Sequence, residues 1–307
     1  MVAVKARNKR GYSTNMTELL QYVANGLVSG GIYAIVAVGF ITIYNVSKVI
    51  NLAQGEFLML GGMVTVALIG MNLPYGLAAL LAILAVTAIG IIMQKYVIDY
   101  VKKASPISLI ILTIGISTLI RGIASFIWGK DAFALEPITS NEPLSFGGVT
   151  IATQSVWILA AVLIILFLLW YLMEKTILGK KINACSVNPM AARLMGISPT
   201  KMSMLAFAIS GATGAVAGIV IAPLSVTSYD IGVLLGIKGF SAAILGGLGN
   251  PLGAAVAAFL LGIVESLGAG YVSSGMKDAI AFLVLIGMLL VKPSGLFGER
   301  SVGKGGL

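Results

Sequence analysis

Runs of about 20 apolar residues, almost free of charge, recur along this chain and dictate its fold class. A run of that length crosses a hydrocarbon core as a helix, because a helix satisfies its own backbone hydrogen bonds. None of the runs shows the period-2 alternation of a barrel strand. Only 10% of the 307 residues are charged, against about 25% in a soluble domain. The expectation is an all-α, polytopic membrane protein, with one transmembrane domain over residues 1–307.

Full-length spans are expected at 19–44, 75–94, 107–128, 154–173, 203–223, 252–271 and 277–292. Two further stretches are short and rich in glycine. The first, 45–71, starts polar with Asn45, Ser47, Lys48, Asn51, Gln54 and Glu56, and Gly55, Gly61 and Gly62 interrupt it. It reads as a broken or re-entrant element, which membrane depth tolerates where the backbone is buried in protein or lines a wet cavity. The second, 237–249, follows a polar link at 224–236 and turns at Asn250–Pro251. Broken segments of this kind point to a transport path. Candidate path residues are therefore Asn51, Gln54, Gly55, Glu56, Ser241, Gly246, Gly247, Gly249 and Asn250. Each short element follows a Gly-rich span, which suggests a two-fold internal repeat; shared glycine-rich composition is the alternative.

The one long polar stretch is 174–202, EKTILGKKINACSVNPMAARLMGISPTKM, with five basic residues. If 45–71 re-enters without crossing, the spans make eight crossings, 237–249 included. The tails 1–17 and 293–307 then share one side with 95–106 and 174–202, and 15 of the 20 Lys and Arg lie there. Basic residues gather in cytoplasmic loops, so both termini are expected to be cytoplasmic. The same rule accounts for the net charge of +9 without nucleic acid. Link 129–153 carries one base and three acids and reads as an external loop or short hairpin.

Within 174–202, Asn188 and Pro189 form a helix start, and Gly196 a helix stop. A two-turn helix over 189–195 follows, and the small Ala191 and Ala192 make it slim enough for a partner's groove. An ordinary capped loop helix is the other reading. Glu56 and Glu265 are acids at membrane depth, where a carboxylate is costly. Glu56 suits a substrate contact, a structural hydrogen bond or ion pair with Arg121 or Lys238, or the capping of a half-helix N-terminus; Glu265 suits a structural role. The single Cys185 excludes an intrachain disulfide, and the absence of histidine argues against a transition-metal site. No G-x-x-x-x-G-K-[ST] occurs, so energy comes from another chain or from an ion gradient.

The stretches NLAQGEFLMLGG (51–62), LGKKINACSVNPMAARLMGIS (178–198), GIKGFSAAILGGLGNPLGA (236–254) and GIVESLGAGYVSSGMKDAIAFLVLIGMLLVKPSGLFG (262–298) resemble the permeases of branched-chain amino-acid importers. The Ala-Ala-x-x-x-Gly element is similar to the coupling motif of ATP-driven importers. That motif often opens with an acid, where Met190 stands here. The resemblance implies a permease domain in a prokaryotic cytoplasmic membrane. It makes Asn188, Pro189, Ala191, Ala192, Arg193 and Gly196 the ATPase-coupling residues. It also implies a second permease subunit (homologous or identical), two ATP-binding subunits and an extracytoplasmic binding protein. ATP and magnesium sit on the partner ATPases, with no cofactor or metal in this chain and no catalysis by it. An ion-coupled secondary amino-acid transporter is the alternative.

Overall fold

The computed structural model describes residues 2–101, 104–137, 139, 142–146 and 149–298, with side chains from residue 16 onward, Phe146 excepted. The side chains of Lys5, Arg7, Lys9, Arg10, Lys102, Lys103, Arg300 and Lys304, which entered the charge count, lie outside the described residues. The helices are α1 (Val2–Ser47), α2 (Gln54–Gly70), α3 (Tyr75–Met93), α4 (Asp99–Val101), α5 (Pro106–Trp128), α6 (Thr153–Lys175), α7 (Ile177–Val187), α8 (Pro189–Leu194), α9 (Pro199–Ile221), α10 (Ile231–Gly246), α11 (Pro251–Tyr271) and α12 (Lys277–Val291). A π-helical turn, Gln94–Ile98, joins α3 to α4. The 129–153 link holds an antiparallel hairpin, β1 (Leu144–Phe146) and β2 (Val149–Ile151), with Leu144 opposite Ile151. Among the described residues, seven helices are long and apolar enough to cross a membrane, and α2 and α10 are shorter apolar helices.

Helix α1 forms the centre, packed on α6, α9, α10 and α11. Lipid tails are as apolar as side chains, so helices associate in a membrane by close packing, which small residues permit. A Cβ at Gly30 would lie 2.7 Å from Phe259 Cα of α11. Helix α9 makes the equivalent approach to α2, where Gly61 meets the backbone of Ala215. Helices α5, α6 and α12 form the outer layer and expose large side chains such as Ile111, Phe126, Phe167 and Leu290.

Contacts at the two ends of α1 define two faces. At its C-terminal end, Val46 packs with Ile182, Cys185 and Ala192, and Asn45 Nδ2 donates to Gly249 O at 3.1 Å. This is the loop face, which holds 174–202. Near its start, Gln21 bonds the backbone of Thr150, and Tyr22 stacks edge-on against Tyr271. This is the opposite face, which holds the β-hairpin.

The 45–71 stretch is not interrupted at Gly55, Gly61 or Gly62, since α2 runs unbroken through all three; its irregular part is 48–53. It also does not return to the face it left. It carries the chain from the loop face back to the opposite face, and α3 then brings it to the loop face again. Seven long and two short passes result, where eight crossings were expected. An odd number of passes puts the start of the first span and the end of the last on different faces. A cytoplasmic N-terminus and a cytoplasmic 174–202 loop therefore exclude each other. The 224–236 link is shorter than expected, because α10 already begins at Ile231.

The internal repeat is visible in the packing. Helix α1 packs on α10 and α11, and α9 packs on α2 and α3. The units α1–α2–α3 and α9–α10–α11 run in opposite directions across the membrane, as an inverted repeat does. The N-terminal turns of α2 and α10 meet where Gly55 touches Gly232 and Gly236.

Candidate functional site

The first group of candidate path residues sits at the entry to α2, deep in the body. Asn51 and Gln54 are fully buried, and Glu56 is 1% exposed. Asn51 Oδ1 accepts from the Ala53 N–H at 3.2 Å, closing the turn that leads into the helix. Leu52 N–H donates to Thr113 Oγ1 of α5 at 3.2 Å. Gln54 ties α2 to α9: its Nε2 donates to Ser210 O at 3.3 Å, and its Oε1 accepts from Ser210 Oγ at 2.6 Å. Gly55 has no room for a side chain, because a Cβ would strike the carbonyl oxygen of Gly232. Glu56 faces α5, where its Oε1 accepts from Ser117 Oγ at 2.8 Å and lies 3.4 Å from Arg121 Nε. Of the two bases considered for Glu56, the structure pairs it with Arg121.

Lys238 of α10 belongs to a different cluster. Its Nζ lies 2.7 Å from Glu265 Oε1 and 2.6 Å from Asp278 Oδ1. Glu265 Oε1 also receives the Tyr33 hydroxyl at 3.1 Å and lies 3.2 Å from Lys277 Nζ. Helices α1, α10, α11 and α12 are thus pinned by two bases and two acids, the structural role expected for Glu265.

The second group of path candidates is not brought to the first. Gly236, beside Gly55, is ten residues from Gly246, about 15 Å along a helix. Ser241 Oγ donates to its own helix at Ile237 O, 2.9 Å away. Gly247 and Gly249 have φ of 103° and 114°, a region that disfavours side chains. Gly246 O accepts from Phe297 N–H at 3.1 Å. Asn250 Oδ1 accepts from Gly253 N–H at 2.9 Å and caps α11. Gly246 and Gly247 hold the C-terminal segment against the loop face, and Gly249 and Asn250 tie the turn there to α1 and α11.

The coupling candidates form a short helix at the surface of the loop face. Asn188 Oδ1 accepts from the N–H groups of Met190 and Ala191, both at 3.0 Å, and Pro189 occupies the first turn, where its missing N–H is harmless. Gly196, at φ 77°, reverses the chain. Ala192 is buried against the Ile182, Cys185 and Ala206 cluster, so its small size serves the seat on α7 and α9. The outward surface is not slim, because Met190 is 68% and Leu194 84% exposed. Val187 and Met195 extend this patch, and Arg193 is also exposed.

A model of the family described as "Branched-chain amino acid transport system / permease component" matches residues 22–290. The chain belongs to this permease family. The high-affinity branched-chain amino acid transport system permease LivH of Escherichia coli K12 is 30% identical, over 93% of this chain and 97% of that one. BraD of Pseudomonas aeruginosa, a permease of the same described system, is 29% identical with the same coverage. The ribose import permease RbsC of Escherichia coli K12 is 26% identical over 79% of this chain.

For a permease of this family, two sets of residues were not singled out from the sequence, one of which it could have shown. Ser117 and Ser210, which hold Glu56 and Gln54, lie in unremarkable apolar spans, and only tertiary packing singles them out. Met190 and Leu194 were legible: their four-residue spacing puts both on one helix face, inside a loop otherwise rich in charge.

Proposed function

We propose that this chain is the membrane-spanning subunit of an ATP-driven importer for branched-chain amino acids in a prokaryotic cytoplasmic membrane. Its partners are a second permease subunit (homologous or identical), two ATP-binding subunits that carry ATP and magnesium, and an extracytoplasmic binding protein. The observation that carries this reading is the capped helix α8 on the loop face. It presents Met190 and Leu194, uncovered by the rest of the chain, at the polar end of a membrane body. Apolar side chains in such a place mark a protein contact.

Charge supports a cytoplasmic loop face. Among the described side chains, Lys48, Lys95, Lys175, Lys180, Lys181, Arg193, Lys201 and Lys292 lie on it, and Lys130 and Lys277 lie toward the opposite face. Acids show the reverse bias, with Glu18, Asp131, Glu136, Glu142, Asp230 and Asp278 toward the opposite face and Asp99 and Glu174 on the loop face. In this orientation the N-terminal end of α1 is extracytoplasmic. Nucleotide-driven motion of the ATPases shifts α8, which is seated on α7 and α9 through Ala192. Helix α9 begins one repeat of the body, so its displacement moves that repeat against the other and alternates access.

The test is the assembled transporter with Met190→Glu and Leu194→Glu together. Both positions are exposed, so the subunit remains folded in the membrane. Stimulation of ATP hydrolysis by loaded binding protein should fall about ten-fold or more, the effect of losing an interface hot spot. Undiminished stimulation would mean that α8 is not the docking element.

A further inference from the structure

Glu56 and Arg121 form a charged pair inside the helical body, and the protein leaves both incompletely satisfied. Glu56 Oε2 is buried and has no hydrogen-bond partner among the described residues, and neither has Arg121 Nε. Their contact, at 3.4 Å, lacks hydrogen-bond geometry. Arg121 Nη2 reaches Thr118 Oγ1, also at 3.4 Å, and the side chain is 29% exposed. Glu265 also has a free second oxygen, but two lysines and a tyrosine crowd its first.

A cavity does lie on the helix faces that carry Glu56 and Arg121. Met63 follows Glu56 by seven residues, and Trp128 follows Arg121 by seven. Seven residues make nearly two turns, so each pair shares a face about 10 Å apart. Met63 and Trp128, with Val66, Ala67, Gly70 and Phe133, line a cavity of about 200 Å³ toward the opposite face. Met59 and Ala124 are buried in the apolar cluster between it and the charged pair.

We propose that Glu56 and Arg121 bind the main-chain zwitterion of an amino acid during its passage. Glu56 Oε2 accepts from the ammonium group, and the Arg121 guanidinium donates to the carboxylate. The apolar side chain enters between Met59, Met63 and Ala124, which pack together in this closed body and part as the repeats move. The solute brings one charge of each sign, so the site stays neutral overall. Each protein group exchanges a loose contact for a charge-assisted hydrogen bond, the stronger kind. This site reads what all α-amino acids share and leaves the choice of side chain to the apolar walls and the binding protein. The proposal rests on the importer reading above.

The experiment uses the assembled importer in vesicles with its ATPases and binding protein, as wild type, Glu56→Gln, Arg121→Gln and the double variant. Leucine is the probe. Each variant should lower uptake at limiting leucine by about ten-fold or more, the worth of one charge-assisted hydrogen bond. ATP hydrolysis stimulated by loaded binding protein should persist in all three, because docking at α8 is untouched. The double variant decides between roles, since a purely structural ion pair tolerates joint neutralisation. Recovery of leucine uptake in the double variant overturns the proposal. So does a parallel loss of uptake and ATP hydrolysis in every variant, which marks a folding role. Wild-type vesicles that import some other solute and no amino acid overturn the importer reading, and the site falls with it.

Discussion

Single residues in this permease are constrained most where backbones touch. Gly55→Ala places a methyl group on the Gly232 carbonyl, and overpacking of this kind costs about 1–3 kcal/mol even where side chains can yield. A backbone neighbour cannot yield so easily. Gly55→Ala should therefore lower the melting temperature of the purified subunit sharply. Gly122→Ala, with nothing within 4 Å, should leave it level or raised; equal effects would count against the close approach of α2 and α10. The Lys238 cluster makes a second prediction. Lys238→Met leaves Glu265 between fewer donors, and breaking a buried pair costs about 3–5 kcal/mol. Adding Glu265→Gln should restore part of that loss in a thermal melt, and a double variant no better than the single would refute the pairing.

At the scale of elements, α8 is short enough that its caps decide whether it forms. Loss of an Asn cap costs about 1 kcal/mol, so Asn188→Ala should fray α8 and weaken ATPase coupling, whereas membrane insertion stays intact. Unchanged coupling would show that the helix is held by its seat at Ala192 alone. The caps were readable in advance, because Asn-Pro and a terminal glycine act through local backbone geometry. The α2 stretch was misread for a matching reason. Its glycines were taken as breaks, yet glycine in a membrane helix also serves close packing. Which role applies depends on the neighbour, here Ala215 for Gly61, and no local signal names that neighbour.

At the scale of the whole molecule, the inverted repeat and the odd number of passes belong together. Labelling with a membrane-impermeant maleimide tests the topology. Cys185 is buried, and burial raises its thiol pKa, so it should label slowly until the protein is denatured. In a Cys185→Ser background, Val187→Cys and Met71→Cys, both well exposed, should react from opposite sides of the membrane. Reaction of both from one side would restore the re-entrant reading of 45–71.

That this chain is a helical membrane body, where its long spans lie, which loop is polar and how α8 is capped could all be read from the amino-acid order. Those features rest on hydropathy and on hydrogen bonds between near neighbours in the chain. Packing between distant helices was needed to show that 45–71 crosses, that Glu56 pairs with Arg121 and Lys238 with Glu265, and that Gly246–Asn250 lie away from Glu56. Pairing across a bilayer is set by how small residues let distant helices approach, and that geometry has no period along the chain.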